Sequence, residues 1–403
     1  ELLILVRQKW PLTATIMMTA LSDMRIAADA VNRRLVDYFV TKPWKIPQFV
    51  QLVESALEQH DNAGRNAQPS PQASLEAQAE PNASDRGQDL FGKYHLIEEI
   101  ASGGMADLYR ARVFGADGFE KDVAVKRIKK HLSRDEAFVR MFVDEARIMT
   151  SLDHGNIVSV LDFGKAGDQH YLVMEYVDGI DLHRLLNMPG NQANPLPQEL
   201  ACYVAGQVCQ GLAYAHRKTD DQGRPLGLVH RDIGPHNMLV SKEGIVKIAD
   251  FGIARATGRK AVTQTGMVKG TLPYMSPEQI AADEIDHRTD LYALGVVLYE
   301  MLTGRAPYTG ATQQETVARI QRGTYLKTHA ANPEVDKRLT PLVHKALRRK
   351  PRDRYQSAEK LEKAISGFLH ASGLHPTAAR LAALVEQRVT EDRLAEIERH
   401  RMT

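Results

Sequence analysis

Four short motifs follow one another in a fixed order between residues 97 and 278, and they constrain the fold more than any other feature of the chain. A glycine pair interrupts two strand-like runs in IASGGMADLY, residues 100–109, and a single lysine, Lys126, ends the apolar run VAVK. The segments HRDIGPHN, at 230–237, and DFG, at 250–252, follow beside further apolar runs. Each motif alone is a weak indication of fold. The inference therefore rests on the order and spacing of all four motifs.

The glycine pair and the lysine are suited to holding phosphate. Glycines let backbone N–H groups approach an anion closely, although a glycine pair between strands is also typical of a plain hairpin turn. A lysine at the end of an apolar strand needs an anionic partner where it is buried. Glu145 is the candidate partner, because it lies in the helical pattern FVRMFVDEARIM. A solvated lysine and a solvated helix carboxylate are the alternatives.

Three oxygen-bearing side chains in the later motifs are suited to proton transfer and metal binding. Asp232 and Asn237 lie five residues apart in a loop between apolar runs. The carboxylate is an acceptor for a hydroxyl proton, and the carboxamide is a metal ligand. Asp250 follows the strand-like run VKIA and adds a second hard oxygen ligand of the kind that Mg²⁺ prefers beside phosphate.

In combination these residues resemble the signature set of protein kinases: a glycine loop, a strand lysine, a helix glutamate, HRD with a later Asn, DFG, and SPE in place of APE. The likeness is greatest to bacterial serine/threonine protein kinases of the eukaryotic type and covers about 280 residues. It implies an α+β fold over residues 90–370, with a β-rich N-terminal lobe and an α-helical C-terminal lobe. It also implies an ATP- and Mg²⁺-dependent enzyme that phosphorylates Ser or Thr hydroxyls of proteins in the cytoplasm.

The resemblance assigns a role to each chemical group. Lys126 would hold the α- and β-phosphates of ATP and pair with Glu145. Asp232 would accept the proton of the attacking hydroxyl, while Asn237 and Asp250 would hold magnesium. The other residues implied to bind ATP are the glycine-loop residues Ala101, Ser102, Gly103 and Gly104, the adenine-flanking residues Leu108, Ala124 and Leu239, the hinge residues Glu175 and Val177, and the ribose-contacting Asp181.

Two features of the segment between DFG and SPE concern regulation and substrate choice. Thr263 and Thr265 stand where bacterial relatives autophosphorylate, and a phosphate there would bind Arg231 and order the loop. A solvated, threonine-rich loop is the alternative. Thr271 precedes PYMSPE and implies a platform for a Ser or Thr substrate.

The resemblance also implies structural supports outside the cleft. Glu278 would pair with Arg354, and Asp290 would brace the catalytic loop. The charged tail at 377–401 is amphipathic and predicts a helix. Its apolar positions either cap the helical lobe or form a dimer contact; they are Leu381, Leu384, Val385, Val389 and Leu394.

Two departures from the family pattern bear on activity. Ala101 and Ala106 replace the first and third glycines of the loop, and Gly234 stands where serine/threonine kinases carry a lysine that binds the γ-phosphate. Protonated His236 is one hypothesis for a replacement cation, and a histidine that only packs the loop is the alternative. The alternative function is therefore a pseudokinase, a nucleotide-binding scaffold in a two-component pathway. A small-molecule phosphotransferase is a third interpretation.

Residues 1–60 resemble the second half of a response-regulator receiver domain, with strand-like runs at 14–18 and 37–40 in a β-α-β-α order. In that family Thr19 and Lys42 would contact the phosphate on an aspartate. The first three strands, which carry that aspartate, are not in this sequence, so we do not expect this segment to be phosphorylated. We expect a truncated gene model, and a two-component partner for the whole protein.

Composition and charge exclude several other classes of protein. A net charge of +2 gives no whole-chain case for nucleic-acid binding, and the apolar opening ELLILV is too short to span a membrane. Cys202 and Cys209 are the only cysteines, which excludes a disulfide framework and suits a reducing cytoplasm. The stretch 61–88 is rich in Ala, Gln, Pro, Ser and Asn and predicts a disordered linker.

Overall fold

The computed structural model describes residues 16–20, 38–42, 90–115, 119–188, 194–251 and 272–402, with side chains described between 90 and 394. The chain divides into two compact units, Glu1–Ala83 and Ser84–Thr403. The predicted linker and the helices predicted within the first 60 residues lie outside the described residues, as do Thr263, Thr265 and Thr271.

Two strands are described in the first unit, β1 (Ile16–Ala20) and β2 (Tyr38–Lys42). They are parallel and pair in register from Ile16 beside Tyr38 to Ala20 beside Lys42. The two runs predicted as strands coincide with them to within two residues. Parallel neighbours need a crossover connection, which a β-α-β order supplies. The pairing confirms the positions of the two predicted strands. The resemblance to a receiver domain stays a prediction.

The second unit opens with a six-stranded antiparallel sheet in the order β3-β4-β5-β6-β8-β7. Its strands are β3 (Leu90–Phe91), β4 (Tyr94–Ser102), β5 (Ala106–Phe114), β6 (Glu120–Ile128), β7 (Val160–Ala166) and β8 (Gln169–Glu175). Side chains alternate along β6: Val123 and Val125 join a small cluster on one face, and Ala124 joins the main core on the other. Lys126, two residues after Ala124, therefore lies on the core face.

One long helix, α1 (Glu136–Met149), accompanies this sheet. Asp135 caps the helix by accepting hydrogen bonds from two backbone N–H groups of its first turn. The buried positions recur at helical spacing and are Phe142, Glu145, Ala146 and Met149. The periodicity that buries the apolar residues therefore also carries Glu145 into the interior.

Helices build the rest of the second unit, with a three-stranded sheet of β9 (Gly179–Asp181), β10 (Met238–Ser241) and β11 (Val246–Ile248) in the order β11-β10-β9. The helices are α2 (Leu182–Leu186), α3 (Gln198–His216), α4 (Pro277–Ala281), α5 (Arg288–Thr303), α6 (Gln313–Arg322), α7 (Thr328–Ala331), α8 (Leu339–Ala346), α9 (Ala358–Ala371) and α10 (Ala378–Met402). Helices α3 and α5 are buried along most of their length and form the centre of the lobe. The unit therefore has the two-lobed α+β fold that the resemblance implies.

One hydrophobic core runs from the sheet into the helices. It includes Ala124 and Leu172 from the sheet, Leu291 from α5 and Leu361 from α9. The two lobes therefore share packed side chains at their junction. Among the described residues, no helix is both long enough and apolar enough to cross a membrane.

The C-terminal helix α10 packs on the helical lobe. Leu381 and Val385 are buried in the shared core, and Leu384 and Val389 are partly buried against it. Leu394 is 56% exposed. The cap interpretation of the tail therefore holds for four of the five apolar positions, and the fifth faces solvent.

The predicted pair between Glu278 and Arg354 is confirmed. The Arg354 guanidinium donates to both oxygens of Glu278 at 2.6 and 2.7 Å, and the Thr289 hydroxyl donates to the same carboxylate at 2.7 Å. Arg354 also donates to the backbone carbonyls of Arg348 and Arg349. Burial alone would raise the pKa of Glu278, but the bonds to Arg354 outweigh it and lower that pKa.

We expect Arg354→Met to lower the free energy of unfolding by about 3–5 kcal/mol, because the Glu278 carboxylate would stay buried without its partner. Urea denaturation at pH 7 measures the loss. The matched control is Arg352→Met, whose side chain is 75% exposed in the same turn, with an expected change below about 0.5 kcal/mol. A loss below about 1 kcal/mol for Arg354→Met would contradict the architectural role.

Candidate active site

A single buried carboxylate holds the loop that carries Asp232. Asp290, in α5, accepts hydrogen bonds from the backbone N–H groups of His230 and Arg231, both at 2.8 Å, and contacts His216 Nε2 at 2.9 Å. Arg231 has a φ of 66°, a conformation that costs energy for a residue other than glycine. The two bonds from Asp290 hold the backbone in this conformation, so the predicted brace is present.

His230 links this loop to the strand that precedes Asp250. The Asp232 N–H donates to His230 Nδ1 at 3.3 Å, so the opposite nitrogen, Nε2, carries the proton and donates to the Ala249 carbonyl at 3.0 Å. Burial lowers the pKa of His230, which agrees with this neutral ring. A second bond, from Ala249 N to the Asn237 carbonyl at 2.9 Å, ties the same two segments together.

Asp232 and Asn237 are brought together by a single turn of 3₁₀ helix, Pro235–Asn237. The Asn237 carboxamide nitrogen donates to the Asp232 backbone carbonyl at 2.8 Å and to its carboxylate at 3.2 Å. The nitrogen end of the carboxamide is therefore occupied with Asp232. The oxygen end is the one suited to a metal ion.

Lys126 forms an ion pair with Asp250, with 2.7 Å between Nζ and Oδ1. Burial alone would lower the pKa of Lys126, but the charges of Asp250 and Glu145 outweigh it and the pKa lies above its ordinary value. Loss of hydration would raise the pKa of Asp250, yet Lys126 holds it below its ordinary value. Both groups are therefore charged near neutral pH. Asp250 has a φ of 52°, so the aspartate is held in a strained conformation.

The predicted ion pair between Lys126 and Glu145 is not formed in this structure. Among the described residues, Asp250 supplies the carboxylate that lies within 4.0 Å of Lys126 Nζ, and Glu145 does not. Burial raises the pKa of Glu145 to about 7, and the negative charge of Asp250 also raises it, while Lys126 lowers it. Asp250 is thus the stronger competitor for the lysine, which explains the difference from the sequence-based expectation.

The glycine loop connects β4 to β5, and Gly103 N donates to the Ala106 carbonyl at 2.9 Å. Hairpin turns with left-handed glycines occur elsewhere in this sheet, at Gly92 and Gly167. Gly103 and Gly104 do not have a left-handed φ, so the turn itself does not require glycine there. A Cβ at Gly104 would meet no described atom within 4 Å. The loop therefore leaves open space, as a phosphate-binding loop needs.

The residues predicted to flank adenine border the main core. Ala124 belongs to it, and Leu108, Leu239 and Val177 pack against it. Leu108 lies beside Lys126 in the β5–β6 register, on the strand next to the lysine. The main core is therefore contacted by candidate adenine residues from the sheet, Leu108 and Ala124, and from strand β10, Leu239.

The hinge and the predicted ribose residue are also held in place. Glu175 N donates to the Ser159 carbonyl at 2.9 Å, and the Glu175 carboxylate accepts from Lys247 Nζ at 2.8 Å. Asp181 caps α2 by accepting from Arg184 N at 2.9 Å, and it pairs in register with Leu239. Strand register therefore places Glu175 beside Val123 of β6 and Asp181 beside Leu239 of β10.

The structure bears directly on Gly234 and His236. Gly234 is extended, with a φ of −165°, and a Cβ there would lie 3.7 Å from the Tyr274 ring, an ordinary contact distance. Neither backbone conformation nor space therefore requires glycine at this position. The His236 ring lies 4.0 Å from the His183 ring. That contact favours the packing role of His236 over the replacement-cation hypothesis.

Several contacts in the site were not predicted from the sequence. The Tyr274 hydroxyl donates to Glu300 at 2.7 Å in the interior, beside Gly234, and burial raises the pKa of Glu300 to about 6. His183 lies against the catalytic loop although no motif includes it. The one available signal was composition, since a glutamate within the apolar helix pattern of α5 needs a buried partner.

The arrangement fits a magnesium nucleotide. Asp250 and the Asn237 carboxamide oxygen are hard ligands, and Lys126 is a cation suited to phosphate. Asp232 lies within hydrogen-bond distance of Asn237, so a proton acceptor and a metal ligand stand side by side. Gly104 has no described atom near the position of a Cβ, so the backbone of the loop is accessible to a ligand there.

Comparison with known proteins places these features in context. The family model described as protein kinase domain matches residues 94–365. A tyrosine-protein kinase, MasK of Myxococcus xanthus, is 39% identical over 308 residues, which cover 76% of this chain and 47% of that protein. The serine/threonine-protein kinase PrkC of Bacillus subtilis is 35% identical, with 72% of this chain and 42% of that protein covered.

One further sequence relative and one solved structure are also similar to this chain. The serine/threonine-protein kinase PknB of Mycobacterium tuberculosis is 37% identical, with 68% of this chain and 42% of that protein covered. The crystal structure of the Mycobacterium tuberculosis PknI kinase domain matches with a TM-score of 0.51 and 26% identity, over 69% of this chain and 97% of that one. The chain spans less than half the length of these curated relatives.

Glu145→Gln is expected to raise the free energy of unfolding by about 3 kcal/mol at pH 8. Because the Glu145 pKa rises from 4.5 to about 7 on folding, its ionisation costs stability as the pH rises through that interval. The gain therefore shrinks as the pH falls and vanishes below about pH 4.5. Urea denaturation at pH 8, 7 and 6 measures the trend. The exposed Glu136→Gln on the same helix serves as control, and its effect is expected to stay constant; an equally constant gain for Glu145→Gln would contradict the raised pKa.

Proposed function

Since the chain belongs to the protein kinase family, we propose that it transfers the γ-phosphoryl group of ATP to Ser or Thr hydroxyls of proteins in a Mg²⁺-dependent reaction. One observation carries this proposal. The ion pair of Lys126 with Asp250 and the hydrogen-bonded pair of Asp232 with Asn237 are joined by the bonds that His230 and Asn237 make to Ala249. A cation, a proton acceptor and two hard metal ligands are thereby held in one place.

The roles follow from the chemistry of each group. Lys126 holds the α- and β-phosphates, and Asp250 and Asn237 hold magnesium, which offsets the negative charge of the phosphates when bound. Asp232 orients the substrate hydroxyl and accepts its proton as the oxygen attacks phosphorus. The protein contributes position and electrostatics, because these groups are fixed before substrate arrives.

The adenosine part of the nucleotide is held at the other end of the cleft. Leu108, Ala124 and Leu239 enclose the adenine, and backbone groups of Glu175 and Val177 bind its edge. The carboxylate of Asp181 binds the ribose. The packing of Leu108, Ala124 and Leu239 in or against the same main core supports this assignment.

Ser or Thr specificity is the finer part of the proposal. It is supported by the printed names of PrkC and PknB and by Thr271 before the SPE segment. The printed name of MasK, a tyrosine-protein kinase, favours the other acceptor. Phosphoamino-acid analysis of a phosphorylated protein substrate separates the two, because phosphoserine and phosphothreonine survive acid hydrolysis as species distinct from phosphotyrosine.

Self-activation is part of the same proposal. Phosphate on Thr263 or Thr265 would pair with Arg231, whose backbone Asp290 already holds. The alternative function, a nucleotide-binding scaffold without catalysis, rests on Gly234. The ion pair of Lys126 with Asp250, and the hydrogen bond between Asn237 and Asp232, favour the active enzyme.

The first unit adds a signalling proposal. Thr19 and Lys42 lie at the carboxyl ends of the neighbouring parallel strands β1 and β2, where their register partners are Thr41 and Ala20. That placement supports the receiver-like interpretation and a two-component partner. We place the protein in the cytoplasm, which suits the two buried, free cysteines.

Asp232→Asn is expected to reduce phosphate transfer from labelled ATP at least about 100-fold, because the variant lacks the proton acceptor. The assay uses residues 1–403 with Mg²⁺, a generic protein substrate, and mass spectrometry of residues 255–270. Asp221→Asn, in an exposed turn, is the matched control and should retain full activity. Equal silence of wild type and variant, with nucleotide still bound, would favour the scaffold.

Gly234→Lys is expected to raise kcat by about tenfold or more, because it restores a cation beside the transferring phosphoryl group. The Cβ fits against Tyr274, so the substitution tests charge and not packing. Gly234→Met supplies similar length without charge and should give no gain. An unchanged kcat for the lysine variant would mean that the missing cation is already compensated.

A further inference from the structure

We propose that Arg388 in the C-terminal helix α10 is a positioning residue for the nucleotide site, acting through α2 on the ribose contact of Asp181. The inference rests on the proposed function, since it takes the cleft to bind ATP. It concerns a helix that lies outside residues 94–365, the part matched by the protein kinase family model. The family likeness therefore did not point to it.

Arg388 is a buried arginine whose hydrogen bonds go to neutral oxygens. It is 4% exposed, and its guanidinium donates to the Leu185 carbonyl at 2.8 Å and the Pro195 carbonyl at 2.7 Å. It also donates to the backbone and side-chain oxygens of Asn194, both at 3.1 Å. Burial lowers the pKa of Arg388, so the site is an unfavourable place for a charge. The four hydrogen bonds to these oxygens stabilise the buried guanidinium.

These bonds secure the end of α2. A helix of five residues is not stable on its own, and its last carbonyls lack partners within the helix. Arg388 supplies a partner for Leu185, and Asn194 supplies bonds for Leu186 and Met188. The position of α2 therefore depends on the segment that α10 holds.

The other end of α2 lies in the cleft. Asp181 is its N-cap, so any shift of the helix moves the carboxylate that is assigned to the ribose. His183 lies in the first turn of the helix, and its ring centroid is 4.0 Å from that of His236 in the catalytic loop. Movement of α2 is thus felt at the ribose and, less directly, beside Asn237.

The start of α10 supports the same region from a second side. A Cβ at Gly244, in the turn between β10 and β11, would lie only 2.0 Å from the Ala378 carbonyl, so the helix rests directly on that turn. Strand β10 carries Leu239, the register partner of Asp181. The helix therefore contacts both elements that place the ribose carboxylate.

The test compares two nucleotides that differ only in the ribose hydroxyls. Calorimetric titration with MgADP and with Mg²⁺ and 2′,3′-dideoxy-ADP is carried out on the full chain as wild type, Arg388→Gln and Arg393→Gln. Arg393 is exposed on the same helix and provides the matched control. We expect wild type and the control to bind ADP about tenfold more tightly than the dideoxy analogue, and Arg388→Gln to lose most of that preference.

Two further variants separate positioning from loss of fold. Arg388→Lys keeps the charge with fewer donors and should fall between wild type and Arg388→Gln in its ribose preference. In Asp181→Asn the ribose preference is already lost, so adding Arg388→Gln should change it no further. In turnover assays the arginine variant should raise the KM for ATP by a larger factor than it lowers kcat.

Three results would overturn the proposal: a wild type without ribose preference, an equal loss of affinity for both nucleotides in Arg388→Gln, or additive effects of the two substitutions. Failure of the proposed function gives a different pattern. A protein that binds neither nucleotide, or binds both and transfers no phosphate, contradicts the kinase activity, whereas the ribose preference is read from binding alone.

Discussion

The carboxylate of Asp290 is the interaction on which the active site depends. It lies fully buried in the central helix α5 and orders the catalytic loop through two backbone N–H groups while it also binds His216. A buried carboxylate is costly unless its oxygens are bonded, so these bonds stabilise the aspartate as much as they stabilise the loop. Burial alone would raise the pKa of Asp290, and the bonds from His216 and His230 reverse the direction. The strained conformation of Arg231 persists because this carboxylate defines it.

Two carboxylates compete for the ammonium group of Lys126. Two carboxylates, Asp250 and Glu145, adjoin one lysine in a partly dehydrated cleft, and only Asp250 is paired with it here. Glu145, with its pKa raised to about 7, is the more easily protonated of the two. Like charges near one cation separate into one ionised and one partly neutral carboxyl. Magnesium and phosphates would change that balance, because they compete for Asp250 and place new negative charge beside Lys126.

The C-terminal helix contacts elements that carry candidate site residues, although it lies outside the residues matched by the family model. Helix α10 contributes Leu381 and Val385 to the shared core and Arg388 to the end of α2. Its contacts reach the turn after β10 and the end of α2, and these elements carry or adjoin residues that we propose to bind the ribose and the adenine. Removing such a helix would expose apolar surface and unpaired carbonyls together, which couples the stability of the lobe to the geometry of the cleft.

The sequence by itself determined the order of the lobes and named the candidate chemical groups of the site. Lys126, Asp232, Asn237 and Asp250 are each identified by a local motif, because phosphate, proton and metal chemistry need those groups at short spacing. Helix and strand positions followed from periodicity, as with Glu145 on the buried face of α1. The pair of Glu278 with Arg354 was reached through the family pattern.

Only the tertiary structure decided which partners these groups take. Lys126 meets Asp250, 124 residues away in the chain, in preference to Glu145, and Arg388 meets Leu185, 203 residues away. No motif spacing encodes such contacts, since they depend on how separate elements pack and on which buried charge is better compensated. Local motifs therefore identify the candidate functional groups, whereas tertiary packing determines which residues those groups contact.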